Sequence, residues 1–293
     1  MDTVFATYAA QKNDLLSNYL LANSIRDFAG NLSDLPLRIY IPEDLDMQNE
    51  LELFSGLNIV FSTYPCGGKK YRYAFKPAAA SACEADVKTG TVIWLDRHML
   101  VFGPCVNLLL NPAEQFAYRP PHLKGLGASV DEPVSEMWTT AYRIAGADTS
   151  ALFPVYSEVD NEKIWSYFSA GHFSFRAEAG IMREWNALFI ELAEHSDMKP
   201  FLDDAVRTYL HQIALTLTVL RMQTRDTMKA LPIFYGYPTH LHGKIDKLCQ
   251  ASQMDQLHTA FFSPGNNRIP KKAISAQLAS WIKGKTTAFR QQT

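Results

Sequence analysis

Paired cysteines are missing from this sequence. Its four cysteines, Cys66, Cys83, Cys105 and Cys249, stand far apart and form no Cys-x-x-Cys pair. That argues against a zinc or disulfide framework and points to reduced thiols in a cytoplasmic protein. Long apolar runs are missing too. No stretch approaches the roughly 20 apolar residues of a membrane helix, so no integral membrane segment is expected. The opening, MDTVFATYAAQKND, has an acidic second residue and no basic flank before an apolar core, so it does not read as a signal peptide. An excess of one charge is also absent. The net charge of −2 gives no long-range attraction to nucleic acid or to an anionic membrane. There is no internal repeat and no low-complexity segment. The basic turn Pro65–Lys70 lacks the glycine–lysine spacing of a P-loop, and no histidine pair has the spacing of a zinc hydrolase.

What is present is enough apolar sequence, 47% of the chain, to bury a sizeable core. Residues 1–293 read as a single domain. Val4–Tyr8, Leu37–Ile41 and Leu57–Phe61 are β-prone runs. Between them lie a helix over Asp14–Phe28, with Leu15, Leu16, Tyr19, Leu20 and Phe28 at helical spacing, and a polar amphipathic helix around Asp44–Leu53. This alternation is the pattern of βαβ units and a mostly parallel, Rossmann-like sheet flanked by helices, an α/β fold. Lys76-Pro77 starts a helix over 77–86, with proline tolerated in the first turn.

Residues 107–130 read as a long loop, of the kind that forms lids and binding loops. Helices follow over Glu132–Ala145, Gly180–Glu194 and, longer, Phe201–Met228. His172–Arg176 alternates polar and aromatic residues, the period of a half-buried strand. A last amphipathic helix spans 272–282, before a frayed basic C-terminus.

The chemistry concentrates after Thr91–Leu95, an apolar, β-branched run with the composition of a strand buried on both faces. The run ends in Asp96-Arg97-His98. Ligands in open α/β sheets bind just outside the carboxyl ends of strands, and Asp and His are ligands for Mn²⁺, Mg²⁺ or Zn²⁺. The plainer account has Asp96 capping a turn and His98 on the surface. Lys76 either neutralises a phosphate or lies on a solvated face. Asp203 and Asp204, in the first turn of the long helix, either favour its dipole or face an acceptor as a general base. A second histidine pair, His240-x-His242, closes an irregular aromatic stretch.

The order of these pieces resembles the GT-A type glycosyltransferases, the nucleotide-diphospho-sugar transferase group. Asn18–Arg26 is similar to the family's first helix, and Phe75-Lys76-Pro77-Ala78, with Glu84 further on, to its basic helix. Ile93–His98 falls where the family has Asp-x-Asp, and Tyr167–Arg176, with Trp185 downstream, resembles its Phe-Asn-x-Gly unit. The resemblance implies transfer of a sugar from a UDP- or GDP-type nucleotide sugar to an acceptor. It also implies a divalent metal, Mn²⁺ or Mg²⁺, that takes up diphosphate charge. Carried over, Asp96 and His98 are the metal pair, and His242, His240 or His258 is the third ligand. Thr7, Tyr8, Lys76, Asp96 and Arg97 meet the donor, and Asp203 or Asp204 serves catalysis. His98 stands in place of the second aspartate and Ser169 in place of the asparagine. The alternative expectation is therefore a binding or scaffold protein of the same fold that has lost its metal site.

Overall fold

The computed structural model describes residues 3–66, 70, 71, 73–247, 249–262 and 274–292, with the side chains of 48–50, 254 and 292 left aside. Residues 67–69 of the basic turn and the Pro264-Gly265 and Pro270 turns lie outside them. The chain runs β1 (Thr3–Tyr8), α1 (Leu15–Phe28), β2 (Leu37–Pro42), β3 (Ile59–Tyr64), α2 (Phe75–Val87) and β4 (Thr91–Leu95). Then come β5 (Met99–Val101), β6 (Phe116–Tyr118), α3 (Glu136–Ala145), β7 (Pro154–Ser157), β8 (Glu162–Trp165), β9 (His172–Arg176) and α4 (Ile181–Glu194). Finally α5 (Asp204–Met222), β10 (Met228–Ala230), β11 (Thr259–Phe261) and α6 (Ala276–Gln292) complete the order.

Seven strands form one sheet in the order β10-β6-β9-β4-β1-β2-β3. Only β9 runs against its neighbours, β4 and β6. The other pairings are parallel, as the βαβ pattern predicts. From β1 the chain winds outward through β2 and β3, then returns to place β4 on the other side of β1. The β1–β4 junction is thus a topological switch point, where a crevice opens at the carboxyl edge of the sheet.

Cross-strand aromatics hold that junction. Trp94 of β4 stacks between Tyr8 of β1, at 6.1 Å, and Phe173 of β9, at 6.0 Å. Phe116 of β6 continues the row at 5.5 Å from Phe173. Such pairs add stabilisation beyond area burial and lock strand register. This face packs on α2, α4 and α5 in one large core, while α1 covers the opposite face through Leu15, Leu21 and Ile25.

Several sequence expectations change. The 44–53 helix is a 3₁₀ run, Gln48–Phe54. The 107–130 loop contains β6, a central strand of three residues. The strand at 172–176 is buried throughout rather than half-buried, because it lies between two other strands. The long helix begins only after Asp203, whose carboxylate accepts the Val206 N–H at 2.8 Å. It ends at Met222, because Gln223 turns extended and leads to β10, which pairs with β6. The last helix is not frayed at 283–292: Phe289 packs on Tyr19 at 5.3 Å, and Lys285 pairs with Asp27 at 3.0 Å. No helix among the described residues is long and apolar enough to cross a membrane.

Candidate active site

A cleft of about 260 Å³ opens at the switch point, lined by Tyr8, Lys76, Asp96, Arg97, His98 and Gly171 among others. Its floor is the end of β4. The Asp96 N–H donates to the Gly171 carbonyl at 2.8 Å, and its own carbonyl accepts from the Met99 N–H at 2.8 Å. The chain therefore turns sharply at Asp96 and sends β5 back to pair with β11. Asp96 is 5% exposed, and Lys76, from the first turn of α2, is 6% exposed.

Buried charges demand partners, and these two find each other. Lys76 Nζ lies 2.6 Å from Asp96 Oδ2. The other carboxylate oxygen, Oδ1, accepts the His98 N–H at 3.2 Å. Burial alone would raise the pKa of Asp96. The charges of Lys76 and Arg97 more than reverse this and hold it well below the usual carboxylate range. Asp96 is thus an anion clamped by an ammonium.

Arg97 is the second cation. Its Nε lies 2.9 Å from Asp14 Oδ1 at the start of α1, its NH1 donates to the Tyr8 hydroxyl, and its guanidinium lies 5.0 Å from the Tyr8 ring centre. Burial, then the charge of Asp96, pushes the Tyr8 phenol well above its ordinary pKa, so the hydroxyl keeps its proton. Burial lowers the pKa of both cleft histidines, His98 and His211, aided by the nearby cations. Lys76 and Arg97 both line the cleft, each tied to a buried carboxylate, Asp96 and Asp14.

The metal that the resemblance implies needs several hard donors around one point. Asp96 already has a partner on each oxygen. His98 lines the cleft with its ring on Phe261 at 5.8 Å, and its buried Nδ1, without a hydrogen-bond partner, offers one uncharged nitrogen. His242 is engaged elsewhere, its Nδ1 2.9 Å from the Tyr237 hydroxyl. His240 packs on Phe261 at 5.7 Å, and His258 stacks on Tyr235 at 4.6 Å. No three His, Cys, Asp or Glu side chains converge among the described residues. The donor set does not fit a metal shell.

Of the other expected site residues, Thr7 is fully buried beneath the cleft and outside its lining. Asp203 is the N-cap of α5, and Asp204 lines a neighbouring cavity with Tyr71, Phe189 and Arg207. The sequence reading missed the contribution of α5: Thr208, Tyr209, His211 and Gln212 form one wall of the cleft. The signal was there, a cluster of polar residues inside an otherwise apolar helix. It also missed Asp14, read only as the start of the first helix, whose carboxylate anchors Arg97 and accepts the Ala10 N–H.

The mostly parallel seven-strand sheet flanked by helices, with a cleft at its switch point, is the architecture of GT-A glycosyltransferase structures. Residues 7–223 match the Rhodobacterales glycosyltransferase domain, and the chain belongs to that family. Solved structures share the fold. An active-site mutant of LgtC superposes with a TM-score of 0.56 at 12% identity, over 97% of this chain and 95% of that one. The galactosyltransferase LgtC in complex with donor and acceptor sugar analogues gives 0.51 at 12% identity, over the full length of both. The bifunctional glycosyltransferase WbbM, without ligands, gives 0.50 at 12% identity, over 89% of this chain and 46% of that one. The chain therefore spans less than half of WbbM. No curated protein matches the sequence.

Proposed function

We propose that this glycosyltransferase moves a sugar from a nucleoside-diphosphate donor, of UDP or GDP type, to an acceptor hydroxyl, with the donor diphosphate seated in the Lys76–Asp96–Arg97 cleft. The observation that carries this reading is the pair of cations, Lys76 and Arg97, fixed by buried carboxylates at the sheet's switch point. When the glycosidic bond breaks, negative charge grows on the diphosphate. Preorganised positive groups in a water-poor site stabilise it most. That the same fold in LgtC holds donor and acceptor sugar analogues supports a two-sugar cleft.

The acceptor enters along α5. This helix walls the cleft through Tyr209 and Gln212 and lines the neighbouring cavity through Asp204. In this reading Asp204, which lines that cavity, meets the acceptor sugar, while Asp203 caps α5. Residues 1–293 act as one domain, since Phe261 near the C-terminal end closes a wall of the cleft. None of Cys66, Cys83, Cys105 and Cys249 is in a disulfide, which supports work in a reducing compartment such as the cytoplasm.

The test is thermal unfolding against UDP, GDP and their sugar conjugates, with and without Mn²⁺. Ligand at about 100 times its Kd stabilises the native state by about 2.7 kcal/mol, which raises the midpoint measurably. A rise with one nucleotide identifies the donor class. An unchanged midpoint in every nucleotide, with and without Mn²⁺, would sink the reading and leave a partner-binding protein of the same fold.

A further inference from the structure

We propose that Lys76 stands in for a metal ion at this site: its ammonium is the resident cation that receives the donor diphosphate and carries the charge released in transfer. The proposal rests on the glycosyltransferase reading of the cleft and deepens it.

The position of Lys76 is poor for a lysine by every local criterion. It sits in the first turn of α2, where the helix dipole disfavours a positive charge. It is 6% exposed, and a buried ammonium is costly unless paired. A buried ion pair is seldom a gain over an apolar pair of similar volume. Packing and helix formation alone would favour leucine or methionine there. Yet the side chain lines the cleft, and Asp96 meets it at 2.6 Å.

Asp96 shows the complementary feature. Its carboxylate lies where a hard cation would be held, and the cation already there is Lys76. The second oxygen is taken by the His98 N–H. A divalent ion would have to displace the ammonium from a site with no further carboxylate in its lining. A diphosphate faces no such obstacle. An ammonium has three N–H donors, so one carboxylate does not exhaust it. Arg97, tethered by Asp14 and Tyr8, supplies a second cation on the same floor.

The step balances without a metal. The bond from the sugar's anomeric carbon to the β-phosphate oxygen breaks, and its electron pair stays on the diphosphate. The acceptor oxygen forms the new bond to that carbon, and the acceptor proton passes to solvent. Lys76 contributes charge to this step, not a proton.

Isothermal calorimetry of the whole chain with UDP and GDP, in EDTA and then in Mn²⁺, tests this. The expected result is binding in EDTA that Mn²⁺ changes by less than about twofold. Lys76→Gln should weaken it by about 10- to 100-fold, the loss of a charge-assisted hydrogen bond. Lys76→Arg should retain part of the affinity. Where a single variant fails to fold, Lys76→Met with Asp96→Asn removes both charges together. That pair should fold, by circular dichroism, and lose binding in EDTA. Native protein that binds a nucleotide only with Mn²⁺, or a folded Lys76→Gln that binds as the native chain does, overturns the proposal and leaves the glycosyltransferase reading standing. No binding of either nucleotide in either buffer overturns the donor reading and this proposal with it.

Discussion

Arg97 Nε lies 2.9 Å from Asp14 Oδ1, tying the turn that ends β4 to the start of α1. Asp14 also serves the backbone, since its Oδ2 accepts the Ala10 N–H at 2.8 Å and the Gln11 N–H at 3.2 Å. The two roles can be separated. Asp14→Asn keeps an acceptor for the backbone and removes the charge that aims Arg97. Nucleoside diphosphate affinity should fall several-fold in calorimetry while urea unfolding changes little. Asp14→Ala removes both and should also cost about 1–3 kcal/mol of stability.

Glu84 of α2 accepts the Met182 N–H at 2.9 Å and the Arg183 N–H at 3.0 Å, in the first turn of α4. It serves orphan donors that the helix cannot satisfy itself. Glu84→Ala should destabilise the chain by about 1–3 kcal/mol in denaturant titrations. Glu84→Gln, which can still accept one bond, should cost less. Nucleotide affinity of the folded fraction should not move, since Glu84 is outside the cleft lining.

Arg119 NH2 pairs with Glu158 Oε1 at 2.5 Å, and Arg119 Nε donates to the Tyr235 carbonyl at 3.1 Å. The Arg119 side chain is 3% exposed, so a lost partner leaves a charge stranded in the interior. Glu158→Ala should lower stability by about 3–5 kcal/mol. Limited proteolysis should show the 231–237 segment cut sooner, because Arg119 holds it through carbonyls.

His172 fixes a pH dependence. Its Nε2 lies 3.0 Å from Thr259 Oγ1, a hydroxyl that also accepts the Gly236 N–H at 2.7 Å. The ring is buried at 2% exposure, so its neutral form, which shares this bond in either direction, is the one the interior favours. Burial, with Arg119 and His122 nearby, pushes its pKa down to about 3. An unfolded histidine titrates at about 6.5, so between those values the unfolded chain binds more protons than the folded one. Stability should be complete above about pH 6.5 and fall as pH drops towards 3, by about 1 kcal/mol per pH unit from this residue. His98, His122 and His211 shift in the same direction and steepen the slope. Thermal midpoints across pH 4–8 check it. In His172→Gln the slope should flatten.

Elements with a strong local signature were legible in the sequence. Thr91–Leu95 read as a doubly buried strand and is one, and α1, α2 and α4 follow apolar spacing and turn chemistry to within a few residues. The three-residue strands β5, β6, β10 and β11 were not legible. They are too short to show a period, and pairing with distant segments makes them strands. The site divides in the same way. Asp96 and Lys76 stood out because a charge beside a buried strand or in a helix start is conspicuous. Their mutual contact did not, nor did the contact of Asp14 with Arg97, since no spacing rule links residues so far apart in the chain. The polar wall of α5 was hidden because its apolar stripe accounts for the helix without it.

The match to the glycosyltransferase family stops at residue 223, while Phe261 belongs to β11 and forms part of the cleft. The ribbon of β11 with β5 hangs this later segment directly on the turn after Asp96, with the Phe262 N–H donating to the His98 carbonyl at 2.6 Å. A change in β11 should therefore reshape the wall at Phe261 while leaving the Lys76–Asp96–Arg97 floor in place, because the two are joined by backbone pairing and not by shared side chains.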